Sequence, residues 1–208
     1  MRVLSLNCRQ WFRDTKRSQP TYWKKRAIAI SDLIRRENPD VILFQEMIFP
    51  MTLFIPREYK RATWFSISHH VYCKREFRVL RREWHMHWAK AIIMKPDYLY
   101  CTAFYSVHSH WDRKVYKKVS DQLVKDSTAD GAPHRTIMGG DWNTEPESML
   151  RLMRPLKLRC TGLLTFQNWT KPESRGELDY FAVNGVTTEG ATRLTDFVSD
   201  HYPVVLEL

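Results

Sequence analysis

Six short segments place polar, chemistry-bearing side chains at the ends of apolar runs. Asn7 closes Arg2-Val-Leu-Ser-Leu-Asn7, Glu46 follows Val41-Ile-Leu-Phe44 by two residues, and His108 follows the apolar stretch 98–107. Asp141 and Asn143 follow Thr136-Ile-Met138 and a glycine pair, Asp179 lies in Leu178-Asp-Tyr-Phe-Ala-Val183, and Asp200-His201 precedes the closing run 202–208. Glu46 at a strand mouth is the oxygen ligand that a hard divalent cation takes; taken alone, a capping or salt-bridged glutamate is the simpler account. In Gly139-Gly-Asp-Trp-Asn143 the glycines let the chain turn, and Asp141 and Asn143, two apart on extended chain, share a side. The aspartate can accept a proton or orient water, and the amide can donate to a phosphate. A plain turn is the simpler account of the same residues. Trp142, between them, points away and packs.

Asp179 sits within an apolar run, and burying an unpaired carboxylate costs several kcal/mol. It therefore needs a partner. His201 is the natural one: the carboxylate orients the imidazole and raises its basicity, and histidine titrates near neutral pH. An aspartate satisfied by backbone amides is the alternative. His110, Trp111 and Arg113 follow directly on His108 as substrate contacts. His69-His70 and His85-x-His87 lack a nearby cysteine or carboxylate set to complete a metal site, and are taken as surface residues.

The elements that must position these groups follow from apolar periodicity. Trp23, Ala27, Ile30 and Ile34 share one helical face, and Asn38-Pro39 ends that helix because proline disfavours the α conformation before it. Strands are expected at 2–6, 41–44, 62–68, 90–94, 98–107, 136–138, 178–184 and 202–208. A second amphipathic helix is expected over 113–126, with Val115, Val119 and Leu123 inward and Asp112 as N-cap. Thr144-x-x-Glu147 has the form of a capping box, with Pro146 just inside the helix. Many strands with few helices predict an α+β fold of two packed sheets under helical outer layers. No repeat or linker interrupts residues 1–208, so one domain is expected.

Composition narrows the function classes. The chain has 208 residues, 43% of them hydrophobic, and carries 33 Lys and Arg against 23 Asp and Glu, a formal charge of +10. Such a field attracts polyanions, nucleic acid first. Residues 57–90 concentrate nine Lys and Arg against three Glu, interleaved with Trp64, Phe65, Tyr72, Phe77, Trp84 and Trp88. That stretch suits backbone tracking with base stacking, with Arg78, Arg81 and Arg82 as contacts; a hairpin whose aromatics belong to the core is the alternative. Cys8, Cys73, Cys101 and Cys160 form no CxxC pair, so reduced thiols are expected. With neither a signal-peptide pattern nor an apolar run approaching ~20 residues, a cytoplasmic monomer with no membrane partner is expected.

Leu4-Ser-Leu-Asn7, Phe44-Gln-Glu46, Ser106-Val-His108, Gly140-Asp-Trp-Asn-Thr-Glu-Pro146, Glu177-Leu-Asp-Tyr-Phe181 and Ser199-Asp-His-Tyr-Pro203 together resemble the endonuclease/exonuclease/phosphatase superfamily, of deoxyribonuclease I-like and exonuclease III-like proteins, in the family's order and over nearly the whole chain. The resemblance implies a four-layered α/β/β/α sandwich with a divalent-metal site at one rim. It implies Mg²⁺, with Mn²⁺ an alternative, at Glu46 with Asn7 and Asp200 nearby, and Asp141 as a metal ligand or positioner of the attacking water. Asn143 and His108 would contact the scissile phosphate, and His201 with Asp179 would act as general base or cationic clamp. The implied activity is phosphodiester hydrolysis of DNA or RNA. Inositol phosphates, phospholipid headgroups or a protein–nucleic acid linkage are alternative substrates, and an inactive nucleic-acid-binding module is the alternative of another class. The chain departs from the family in two places: no glycine opens Trp88-Ala-Lys-Ala-Ile-Ile-Met94, and no acidic partner for His108 stands out beyond Glu76 and Glu83.

Overall fold

The computed structural model describes residues 1–9, 22–64, 68–96, 100–109, 112–129, 135–167, 174–196 and 198–208, with the Arg113 side chain not described. In chain order the first elements are β1 (Arg2–Asn7), α1 (Trp23–Glu37), β2 (Val41–Gln45), α2 (Phe49–Thr52), β3 (Tyr59–Arg61), β4 (His70–Lys74), β5 (Arg78–His85), β6 (Trp88–Met94) and β7 (Cys101–His108). There follow α3 (Arg113–Thr128), β8 (Thr136–Asp141), α4 (Pro146–Leu150), β9 (Lys157–Arg159), β10 (Phe166–Gln167), β11 (Arg175–Gly176), β12 (Asp179–Asn184), β13 (Gly190–Arg193) and β14 (Val204–Glu207).

Two six-stranded sheets form, one in the order β13-β14-β1-β2-β4-β3 and the other β5-β6-β7-β8-β12-β9. Each has one parallel pair at its centre, β1 with β2 and β7 with β8, so the strand ends that carry polar residues leave the same side. Period-two alternation sorts the faces. Val3, Val41 and Leu43 meet Ala91, Phe104, Ile137 and Phe181 between the sheets, whereas Leu4, Leu6, Ile42 and Phe44 turn outward onto Ala27, Ile30 and Ile34 of α1. On the other side Trp88, Tyr105, Val107, Met138 and Tyr180 pack against Tyr116, Val119 and Leu123 of α3 and Met149 of α4. This is the expected α/β/β/α arrangement.

Local signals account for the helix ends. Asn38 closes α1 in the left-handed conformation (φ 44°, ψ 49°), its N–H donating to the Ile34 carbonyl, a conformation that asparagine tolerates better than most residues. Asp112 caps α3 by accepting the Lys114 N–H at 2.8 Å. The expected capping box does not form: the N-cap of α4 is Glu145 and makes no side-chain cap bond. Pro146 holds the first helical position, which places Thr144 one residue too early to cap.

Three further expectations need correction. The strand expected over 62–68 is absent where described: β3 stops at Arg61, Ala62–Trp64 are not strand, and 65–67 lie outside the described residues. Its place beside β2 is taken by β4, whose His70 pairs with Phe44. The glycine pair does not turn the chain, because β8 runs through it to Asp141. A Cβ on Gly140 would overlap the Val107 carbonyl, and one on Gly139 would lie 2.8 Å from Leu43 and closer to the Phe181 ring than any ordinary contact. The glycines admit close neighbours on both faces of the strand. Finally, His69 and His70 are buried, at 3% and 1% exposure.

All four cysteines are free. Among the described residues no helix is long and apolar enough to cross a membrane.

Candidate active site at the sandwich rim

Strand register alone assembles a row of titratable groups. His108 pairs with Asp141 across β7 and β8, and Asp141 with Asp179 across β8 and β12. From the facing sheet, Asn7 ends β1 beside Gln45 of β2, and Glu46 follows one residue later. Behind the row Gln45 crosses the sandwich, donating to Ser106 Oγ at 3.0 Å, while Ser106 donates to the Phe44 carbonyl at 2.6 Å. These bonds fix the separation of the sheets under the site.

Asn7 Nδ2 donates to Glu46 Oε1 at 3.1 Å and to Asp141 Oδ2 at 3.0 Å. His108 Nε2 lies 3.4 Å from the same Glu46 oxygen and 3.5 Å from the same Asp141 oxygen. The partners of His108 are thus Glu46 and Asp141, supplied by other strands, and not Glu76 or Glu83; Glu83 is engaged by Arg81 and Lys90. Ligand atoms of Glu46, His108 and Asp141 lie within 4.8 Å of one another. Two carboxylates converging on one neutral amide repel each other, and a cation between them relieves that repulsion. The donor set of hard oxygens with an imidazole fits a divalent metal ion.

His201 Nδ1 lies 2.7 Å from Asp179 Oδ2, the expected pair, and its Nε2 faces Asp141 Oδ2 at 3.8 Å. Asp179 also accepts support at its backbone, donating its N–H to Thr165 Oγ1 at 2.9 Å. Burial raises the Asp179 pKa, against the lowering effect of His201. Burial would lower the His201 pKa, but the carboxylates of Asp179 and then Asp141 outweigh it and the net shift is upward. The imidazole therefore carries the proton at neutral pH, and Asp141 stands between a charged imidazole and His108.

Asn143 joins Asp141 by a turn and not on extended chain. Its φ is 51°, its N–H donates to Asp141 Oδ1 at 2.9 Å, and its Nδ2 donates to the Ser109 carbonyl at 2.8 Å and to Asp141 Oδ2 at 3.2 Å. Glu46 and Arg9 are also left-handed, at φ 53° and 49°. Side-chain-bearing residues pay roughly 1–2 kcal/mol for that backbone, and three of them gather at this rim, as is common at functional sites.

Asp200 is placed differently from the other expected metal ligands. Its Oδ2 accepts from Arg9 Nη1 at 3.0 Å and its Oδ1 from Ser199 at 3.1 Å, and it belongs to neither cluster of potential ligands. Arg9, Gln45 and Ser106 were not foreseen; only their adjacency to Asn7, Glu46 and His108 marks them. His69, also unforeseen, has its ring centroid 5.8 Å from that of His108. His110 lies outside the described residues, as does the side chain of Arg113. Arg78, Arg81 and Arg82 are exposed on the edge strand β5, and pairing across β6 sets them level with Cys101, Ala103 and Phe104 of β7, further along the sheet from His108, so they do not enter the cluster. Of the aromatics in 57–90, Tyr72, Phe77 and Trp88 belong to the core, while Trp64 and Trp84 are exposed.

The sequence matches the model of the Endonuclease/Exonuclease/phosphatase family over residues 4–201. No curated protein matches it. Among solved structures, an endonuclease/exonuclease/phosphatase from Bacteroides vulgatus superposes with a TM-score of 0.83 at 14% identity, covering 100% of this chain and 98% of its own. A mannosyl-6-phosphatase of Bacteroides thetaiotaomicron gives 0.75 at 16% identity, covering 100% and 98%. D. rerio TDP2, complexed with single-strand DNA product, gives 0.75 at 14% identity, covering 99% and 97%. At these identities the structural likeness is one of fold. The sequence match reaches from β1 to His201 and so takes in every strand end that contributes to the rim, which makes this chain a member of the endonuclease/exonuclease/phosphatase family.

Proposed function

We propose that the chain is a Mg²⁺-dependent phosphodiesterase acting on nucleic acid, with water attacking phosphorus in line with the leaving oxygen. The observation that carries this reading is the convergence of Glu46 and Asp141 on Asn7, flanked by His108 and by a protonated His201. Glu46 and Asp141 would hold the metal, with Mn²⁺ as an alternative occupant; Asn7 stands beside them with its amide N–H groups on both carboxylates, and Asp200 is held by Arg9. When bound, the ion supplies charge neutralisation at the phosphoryl oxygens and leaving group. The residues account for the rest. His201, kept cationic by Asp179, holds the phosphate and screens its growing negative charge. Asp141 accepts a hydrogen bond from the attacking water, and Asn143, oriented by the Ser109 carbonyl, turns the N–H that now reaches Asp141 Oδ2 at 3.2 Å toward a phosphoryl oxygen. His108 approaches the same phosphate from the Glu46 side.

Nucleic acid is favoured as substrate by the +10 charge and by the exposed Arg78, Arg81 and Arg82. The TDP2 neighbour with single-strand DNA product supports the same class. A second reading, hydrolysis of a phosphorylated small molecule, is favoured by the mannosyl-6-phosphatase among the fold neighbours. Labelled single-stranded and duplex DNA and RNA, incubated with Mg²⁺ or with EDTA, separate the two. Cutting of a polymer only with Mg²⁺ is expected; release of phosphate from sugar or inositol phosphates with no polymer cut would select the second reading.

A further inference from the structure

Beside the catalytic rim lies a second concavity that the mechanism does not use. It is a groove of about 440 Å³ between the β5–β6 turn and α3, floored by Trp88, Val115 and Val119, with Met86 at one lip and Lys114 and Lys118 along the other. That volume lies in the ~300–1,000 Å³ range of small-molecule sites. The β5–β6 turn is bonded to the catalytic strand itself, since the His108 N–H donates to the His87 carbonyl at 2.9 Å. The groove thus begins one backbone hydrogen bond away from a catalytic side chain.

Two independent observations point to a ligand. Trp88 is 7% exposed, and its indole Nε1–H has no hydrogen-bond acceptor among the described residues. A buried donor left unmade costs roughly 1–3 kcal/mol, a cost that an acceptor admitted by a shift of the neighbouring β5–β6 turn would remove. The second observation is charge. Lys114 and Lys118 are exposed and four apart, so they share one face of α3. Lys117 and Lys125 extend that basic stripe, with Asp121 between them. His85, stacked on Trp88 at 5.4 Å and 17°, adds a flat exposed ring at the entrance.

We propose that this groove is a strand-binding subsite that takes one nucleotide of the substrate beyond the scissile bond. Its base lies on the apolar floor and accepts from Trp88 Nε1–H, and its phosphate lies on Lys114 and Lys118. The proposal rests on the nuclease reading above and deepens it. A lipid shares the pairing of an apolar body with a phosphate, but a groove with one polar donor on its floor and cations along one lip suits a base and its phosphate better than an acyl chain.

The test is fluorescence anisotropy in EDTA, so that nothing is cut, using a labelled dinucleotide and single strands of about ten nucleotides. Lys114→Glu/Lys118→Glu is compared with Lys24→Glu/Lys25→Glu, which makes the same charge change on exposed residues of α1. The groove variant is expected to weaken binding of the long strand about tenfold or more and to flatten its salt dependence, while the α1 variant stays within about twofold of the parent. Equal weakening by the two variants would overturn the subsite and leave a diffuse field effect. If the parent cuts polymer with Mg²⁺ yet the groove variant binds long strands as tightly as the parent, the subsite fails and the nuclease reading stands. If the parent binds no strand of either length the subsite fails, and if it also cuts none with Mg²⁺ the nuclease reading fails with it. Trp88→Phe keeps an aromatic ring, though a smaller one, and removes the N–H; about three- to tenfold weaker binding of the long strand is expected, whereas unchanged binding would overturn the base contact. Anionic phospholipid vesicles, bound with the same dependence on Lys114 and Lys118, would replace the nucleotide by a lipid headgroup.

Discussion

Asp141 is the residue on which the two halves of the site meet. One of its carboxylate oxygens is shared by Asn7, His108, His201 and Asn143, at 3.0 to 3.8 Å. The proton held by its neighbour His201 depends on Asp179. His201→Ala is expected to lower turnover about 10²–10⁴-fold, the range for positioned acid–base groups, with the fold retained. Asp179→Asn keeps the His201 ring and removes the largest of the carboxylate effects that raise its pKa, those of Asp141 and Asp200 remaining. A group needed in its charged form loses activity as pH rises through its pKa, so the alkaline limb of turnover should move down toward the ordinary histidine value in this variant. A pH profile identical to the parent's would contradict the charged-imidazole role. The pairing of Asp179 with His201 was legible because a carboxylate inside an apolar strand demands a partner. The partners of His108 were not, since Glu46 and Asp141 reach it only through strand pairing, and nearness in sequence pointed to Glu76 and Glu83 instead.

At the scale of elements, the row His108–Asp141–Asp179 exists because β7, β8 and β12 approach closely, and Gly140 sets the first of those approaches. Gly140→Ala should force the Val107 carbonyl away from β8 and cost roughly 1–3 kcal/mol, as overpacking does. Thermal melting beside an activity assay checks this, and an unshifted midpoint would contradict it. The glycine pair is visible in the sequence, but its packing role is not, because the crowding comes from strands distant in the chain. β4 was hidden for a related reason: His69 and His70 look like surface residues until the sheet covers them. Burial, reinforced by His108, pushes the His69 pKa down to about 3, and burial with Arg61 pushes His70 down to about 4. Both rings are neutral when folded, while the unfolded chain takes up protons below pH ~6.5. Their contribution is therefore present above that pH and lost as pH falls toward 3–4. His70→Gln should remove on the order of 2 kcal/mol of the stability lost between neutrality and pH ~4.5, measured as a smaller acid shift of the melting midpoint. Parallel acid shifts in parent and variant would contradict this.

For the whole molecule, the layered order of strands and helices was readable from apolar periodicity and from six motifs in sequence. The seating of β4 between β2 and β3, and of β9 beside β12, was not, because no local pattern encodes which edge a short strand joins. The +10 charge belongs to this scale too. Reversing Arg78, Arg81 and Arg82 to glutamate on edge strand β5 should raise KM for a long strand and reduce its salt dependence while kcat is retained. Arg81 is already paired with Glu83 at 2.6 Å, so Arg78 and Arg82 should carry most of the effect. Kinetics unchanged at every salt concentration would assign this edge to structure. The central claim, that the rim cluster performs metal-assisted hydrolysis of a nucleic acid, is tested most directly by Mg²⁺-dependent cleavage of the preferred polymer by the parent and by Asp141→Ala, both verified as folded. Cutting by the parent alone, abolished by EDTA, is the predicted result; cutting of the polymer by the folded variant at the parent's rate would contradict it.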